Sequence, residues 1–254
     1  MITDAFDDRS PAKINVKNNG DAVKVEAVIF TFSRVIEEYV TEHYACEKIG
    51  EMRMVCGVSP VYRIEHRGKT YGFFRTWVGA PACVGALEEV FAFLRTDKVI
   101  HFGGAGCLDK EIARGKVMVP TAAYRDEGTS YHYAPASDYL PIKNAPVVAA
   151  FMEENRIPYV LGKTWTTDAF YRETCGNFEK RRAEGCVSVE MEGASVQAMC
   201  DFRGLEVFMF FTGGDLLDAP EWTSRSVEGQ IKDSQHDPGH FEIALALAEF
   251  AAKP

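Results

Sequence analysis

The chain lacks several features, and each absence removes a class of protein. No apolar run approaches the ~20 residues that span a bilayer as a helix, and no basic-then-apolar segment opens the chain. We therefore expect a cytoplasmic protein with no membrane partner. Positive charge is scarce: 28 Lys and Arg stand against 37 Asp and Glu, for a net charge of −9. Such a field repels nucleic acid. The seven cysteines form no Cys-x-x-Cys pair, and their scatter through apolar segments suits buried, reduced thiols. His236 and His240 are spaced like metal ligands, but Pro238-Gly239 between them argues against a shared helix face. A surface turn is expected there, and no metal site. Repeats, low-complexity tracts and linkers are also missing. Residues 1–254 are read as one domain, with a loose polar arm over residues 1–20.

What is present is an alternation of strand and helix signals. Val23 to Phe30 reads as a buried strand and Arg34 to His43 as a helix. Val61–His66 and Thr70–Trp77 flank Arg67-Gly68-Lys69, the mark of a β-hairpin. Helices are expected around Gly85–Arg95, Ala145–Asn155, Met191–Arg203 and Phe241–Ala251, with Gly204 stopping the third. Strands are expected at Lys98–Phe102, Lys116–Pro120, Tyr159–Thr166 and Glu206–Phe211. This order implies a mostly parallel sheet covered on both faces. Ligands of such sheets gather at the carboxyl ends of the strands.

Three strand ends stand out. After Val99-Ile-His-Phe comes Gly103-Gly-Ala-Gly106, where backbone can approach a ligand. Asp109 breaks the dinucleotide fingerprint and no Gly-Lys-Ser/Thr follows, so alone the run reads as a tight turn. The second is Val187-Ser-Val-Glu-Met-Glu-Gly193, with Glu190 and Glu192 where strand gives way to helix. A carboxylate there can cap the helix or accept two hydrogen bonds from a vicinal diol. The third is Asp215, which follows the apolar strand in Phe211-Thr-Gly-Gly-Asp. It can serve as an acid or cap a turn.

These segments, with Asp126-Glu-Gly-Thr-Ser-Tyr-His-Tyr-Ala-Pro135 and Val189-Glu-Met-Glu-Gly-Ala194, resemble the nucleoside phosphorylase-I family of purine nucleoside and uridine phosphorylases and related nucleosidases. The likeness runs in order from about Val25 to the C-terminal helix. It implies a three-layer α/β/α sandwich around a mixed, mostly parallel sheet. It also implies phosphorolysis of a nucleoside to free base and ribose 1-phosphate, with inorganic phosphate as co-substrate and no metal or organic cofactor. By match to the family motifs, Glu192 and Met191 hold the ribose and Asp215 protonates the leaving purine. Phe170 stacks on the base, with Val189 and Gly106 beside it, while Arg34, His101 and Gly104 fall at the phosphate positions. A homo-oligomer, dimer or hexamer, is implied too. The short connection from Phe170 to Val189 and the presence of Asp215 point to a purine.

The chain also departs from the family. His101 stands where a phosphate arginine belongs, Gly104 replaces a hydroxyl residue, and the arginine from a neighbouring subunit aligns near Gly57. Arg53, Arg75 or Arg125 could supply replacement charge. A hydrolytic nucleosidase is therefore the main alternative to phosphorolysis. A uridine phosphorylase and a non-catalytic nucleoside binder are the others.

Overall fold

The structure, a computed structural model, describes residues 1–16, 21–113, 115–218, 223–224 and 237–252. The first half runs β1 (Val23–Lys24), β2 (Val28–Thr31), α1 (Arg34–His43), β3 (Ala45–Met54), β4 (Gly57–His66), β5 (Lys69–Arg75), α2 (Ala80–Val90) and β6 (Leu94–Arg95). Then follow β7 (Lys98–Cys107), α3 (Lys110–Ala113), β8 (Val117–Asp126), β9 (Tyr139–Pro141), α4 (Ala145–Glu154) and β10 (Tyr159–Thr167). The last elements are α5 (Cys175–Ala183), β11 (Cys186–Glu190), α6 (Gly193–Arg203), β12 (Glu206–Leu216), β13 (Thr223–Ser224) and α7 (Gly239–Ala251).

The architecture is mixed α/β. Strand β7 is its junction, pairing in parallel with β2 and β12 and antiparallel with β11. Because β12 also pairs with β8, and β8 with β10 and β10 with β11, five strands close into a circuit: β7, β12, β8, β10 and β11. The order β2-β5-β4-β3 extends from β7 as a wing. The sheet is mixed. The pairings β7–β12, β8–β10, β10–β11, β2–β5 and β2–β7 are parallel, whereas β3–β4, β4–β5, β7–β11, β8–β12, β8–β9 and β12–β13 are antiparallel. Antiparallel partners arise wherever the chain returns through a turn or closes the circuit, and helix–strand alternation does not report that closure.

Burial explains which elements form. The strand faces of Phe30, Phe73, Phe74, Phe102, Phe210 and Phe211 are buried. Phe241 of α7 stands edge-on to Phe73 at 5.3 Å, and Phe151 of α4 meets Phe250 of α7. Helix α2 begins five residues earlier than Gly85, because Gly79 (φ +101°) makes the entry turn and Pro81 sits in the first turn. Strand β3 escapes periodicity because it is polar and lies at the sheet edge. Among residues 1–16, only Ile2–Asp4 forms a short 3₁₀ turn.

All seven cysteines are free, but Cys56 and Cys175 are exposed, contrary to the expectation of burial throughout. His236 lies outside the described residues. His240 opens α7, its Nδ1 3.4 Å from the Thr212 hydroxyl. Among the described residues, no helix is long and apolar enough to cross a membrane.

Candidate active site

The Val-Glu-Met-Glu stretch divides its two carboxylates between two jobs. Both oxygens of Glu190 accept hydrogen bonds: Oε2 from the backbone N–H of Glu192 and Gly193, Oε1 from the hydroxyls of Thr164 and Thr166. Burial raises its pKa, and the four donors oppose that rise. Glu190 is thus the carboxylate that caps α6 and ties it to β10. Gly193 is glycine for a steric reason, since a Cβ there would lie 2.9 Å from Glu190 Oε1. Glu190→Gln would turn an NH₂ group towards these donors. We expect a loss of about 1–3 kcal/mol of stability, read as a lower Tm in thermal denaturation; an unchanged Tm would remove Glu190 from the capping role.

Glu192 is released from capping. It is the N-cap residue of α6 by position, yet its side chain makes no cap hydrogen bond. Instead Oε1 accepts from the backbone N–H of Gly79 at 2.6 Å, across 113 residues of sequence. Glu192 is 6% exposed. Burial first, then the charge of Glu190, pushes its pKa up to about 8. At neutral pH its carboxyl is therefore mostly protonated, with one O–H to donate and oxygens that accept.

A cavity of about 250 Å³ lies against this carboxyl. Its wall includes Met191, Glu192, Val189, Gly106, Phe170 and Asp215, so the residues expected at the sugar and base positions are gathered there. Gly106 explains the close fit of one side. It pairs with Val189 across β7–β11 and with Asp215 across β7–β12. A Cβ at Gly106 would stand 2.8 Å from Val189 Cγ1 and 3.3 Å from Asp215 Oδ1. Asp215 does not follow its strand but lies inside β12, where the register shifts between Gly213 and Asp215. Phe170 begins a 3₁₀ turn after β10 and is half exposed, its ring 4.1 Å from that of Tyr171.

The expected phosphate end is assembled differently. Gly104 and His101 line the cavity, but Arg34 does not. Ser33 caps α1, and Ile36 and Val40 turn inward. Helical phase then sets Arg34 on the outer face, where its Nε meets Glu38 one turn later at 2.8 Å. His101 is fully buried and stacks on Phe30 at 4.9 Å, with Phe32 and Phe211 around it. Neither ring nitrogen has a protein hydrogen-bond partner, and burial drives the pKa down to about 3. The imidazole is neutral at physiological pH and brings no positive charge to an anion. Arg53 pairs with Glu51 and Arg75 with Glu37. Arg125 is buried among Ser130, Ala134 and Pro135, under the Tyr131 ring. None of the three lines the cavity.

Two participants escape the sequence. Gly79 supplies the N–H that fixes Glu192; its only local signal is the glycine-proline start of α2. Glu173, three residues after Phe170, also lines the cavity. Among the described residues, no group of three His, Cys, Asp or Glu side chains gathers in a way that could hold a metal ion.

A DeoD-type purine nucleoside phosphorylase of Exiguobacterium sp. is 24% identical over 209 residues, covering 81% of this chain and 82% of that protein. Another, from Alkaliphilus metalliredigens, is 25% identical over 224 residues, 85% of this chain and 90% of the relative. The uridine phosphorylase of Salmonella typhimurium is 28% identical over 165 residues, 58% of this chain and 64% of the relative. A family model described as the phosphorylase superfamily matches residues 27–240, and on that match the chain belongs to the phosphorylase superfamily.

Proposed function

We propose that this chain cleaves the N-glycosidic bond of a purine nucleoside, giving free base and, with phosphate as acceptor, ribose 1-phosphate. The observation that carries the reading is the convergence of Glu192, Asp215 and Phe170 on one cavity from three separate elements. The base lies against Phe170, beside Val189 and Gly106. Asp215 gives a proton to the base at N7 as the C1′–N bond breaks. Glu192, packed beside Met191, donates to one ribose hydroxyl and accepts from the other. Contacts of this kind lower the barrier to the extent that they strengthen as the sugar becomes oxocarbenium-like. The names of the relatives include both purine and uridine enzymes; Asp215 and the short Phe170–Val189 connection support purine. The same reading includes helical layers on both sides of the sheet, a cytoplasmic role in nucleoside salvage and no metal or organic cofactor.

The nucleophile admits a second reading, water, and a specific observation favours it. The described cavity wall carries Glu173, Glu190, Glu192 and Asp215 but no Lys or Arg. Phosphate sites rely on charge-assisted pairs, which this wall does not offer. Phosphorolysis then draws its countercharge from outside the described wall, and the homo-oligomer, dimer or hexamer, is part of the first reading. The test incubates inosine, adenosine and uridine with and without phosphate and identifies the sugar product. Phosphorolysis is expected to give ribose 1-phosphate only when phosphate is present. Free ribose at an undiminished rate without phosphate would establish the hydrolase instead. Turnover of uridine alone would overturn the purine assignment, and binding without turnover would leave a nucleoside-binding protein.

A further inference from the structure

Beyond the cavity that gathers Glu192 and Asp215 lies a second chamber of about 880 Å³, against about 250 Å³ for the first. Phe170, Glu173 and Asp215 line both and so form the partition between them. Met191 and Glu192, at the sugar end, line the inner cavity alone. The outer chamber therefore adjoins the site at the end assigned to the base, and none of the roles given above makes use of it.

Much of its wall is apolar. Phe178 of α5 and Leu217, just past β12, rest on the buried cluster of Leu108, Trp165, Cys186 and Val189. The Leu217 backbone N–H also donates to the Cys107 carbonyl at 3.1 Å, which ties that side to β7. Phe170 and Tyr171, their ring centroids 4.1 Å apart, are 50% and 88% exposed. Two adjacent aromatic rings left open beside a chamber are surface that a ligand can cover. Of the described charged residues, Lys110 and Arg182 stand against Glu173, Glu179, Asp215 and Asp218. Arg182 is already paired with Asp109 and Asp218. That balance disfavours an anion, and the chamber suits a neutral, apolar group.

We propose that the outer chamber is a subsite for a bulky apolar substituent on the exocyclic nitrogen at position 6 of the base. The substrate class then extends to adenine nucleosides carrying an aralkyl group on N6. The inference rests on the reading of Phe170 and Asp215 as base-binding residues. On that reading Asp215 meets N7, and N7 shares one edge of the purine with the group at position 6. A substituent on that nitrogen leaves the base at the partition and enters the outer chamber. There it packs against Phe178, Leu217 and the Tyr171 ring. N7 stays open, so the proton still passes from Asp215 to the base.

The experiment measures kcat and KM for adenosine and N6-benzyladenosine in the wild-type chain and in Cys175→Trp. Cys175 is exposed and lines the outer chamber alone. The cap of α5 joins the Thr174 hydroxyl to the Asn177 backbone N–H and does not use the Cys175 side chain. Tryptophan there narrows the outer chamber and leaves the inner cavity as it is. Burial of a benzyl group is worth about 10–100-fold in affinity, so the wild-type KM for N6-benzyladenosine should lie about tenfold below that for adenosine. Cys175→Trp should abolish that advantage and leave adenosine cleavage unchanged. A wild-type kcat/KM for N6-benzyladenosine below that for adenosine overturns the inference and leaves nucleoside cleavage standing. An advantage that survives Cys175→Trp places the benzyl group elsewhere, and an equal loss with adenosine marks a general disturbance of the site; either also overturns the subsite. Turnover of neither substrate by the wild-type chain refutes the underlying reading, and the subsite with it.

Discussion

Asp215→Asn is expected to lower kcat/KM for inosine by about 10²–10⁴-fold, the usual contribution of a positioned general acid. Asparagine preserves the shape of the side chain and cannot give up a proton. The surrounding backbone has no reason to move, because residue 215 is held in the β12 ladder opposite Gly106 and Ser224. The loss should therefore appear with little change in Tm and should fall largely in kcat. Binding of a nucleoside that is not turned over should survive. Wild-type rates in the substituted chain would eliminate Asp215 as acid and shift attention to how the base leaves unprotonated.

The second large effect concerns Glu192. Truncation to Ala removes the carboxyl held by the Gly79 N–H and, on the proposed reading, both hydrogen bonds to the ribose diol. A loss of about 10²–10³-fold in kcat/KM is expected, comparable to removing one preorganised transition-state hydrogen-bond donor. The loss should be smaller for 2′-deoxyinosine, which offers one hydroxyl fewer. Equal losses for the two sugars would exclude Glu192 as the diol ligand. The same carboxyl has a signature in stability. Its folded-state pKa, about 8, lies above the ordinary carboxyl value of 4.5, so the folded state favours the proton. Its stabilising effect is complete below pH 4.5 and is lost as pH rises towards 8. Glu192→Gln removes that titration. The variant's Tm should gain on the wild type between pH 5 and pH 8, and a constant difference across the range would contradict the raised pKa.

Much of this site is legible in the residues, and the remainder fails for identifiable reasons. The strand-to-helix change at Val189–Ala194 is visible in composition, but which glutamate caps the helix is not. That choice depends on Thr164 and Thr166 of a neighbouring strand. In the sequence Asp215 reads as lying beyond its strand, because the apolar signal ends at Phe211. The ladder nevertheless continues through glycines, which have no hydrophobic side chain to show it. Arg34 could have been placed correctly by phase alone: Ile36 and Val40 face inward, and Glu38 stands one turn from Arg34 on the outside. The closed five-strand circuit is beyond local pattern altogether, since each of its pairings joins residues far apart in the chain.

Gly106 has a consequence for how such a site can change. At Gly106 the wall of the cavity is main chain, and the backbone of Asp215 is fixed beside it by a hydrogen-bonded ladder. The same cavity is also lined by Phe170, half exposed on a short turn. One wall is rigid and the other can be repositioned. Adaptation to a base of different size is thereby favoured on the aromatic side, while the backbone that carries the acid stays in place. A lineage of such enzymes can vary in what it accepts without rebuilding how it lets go.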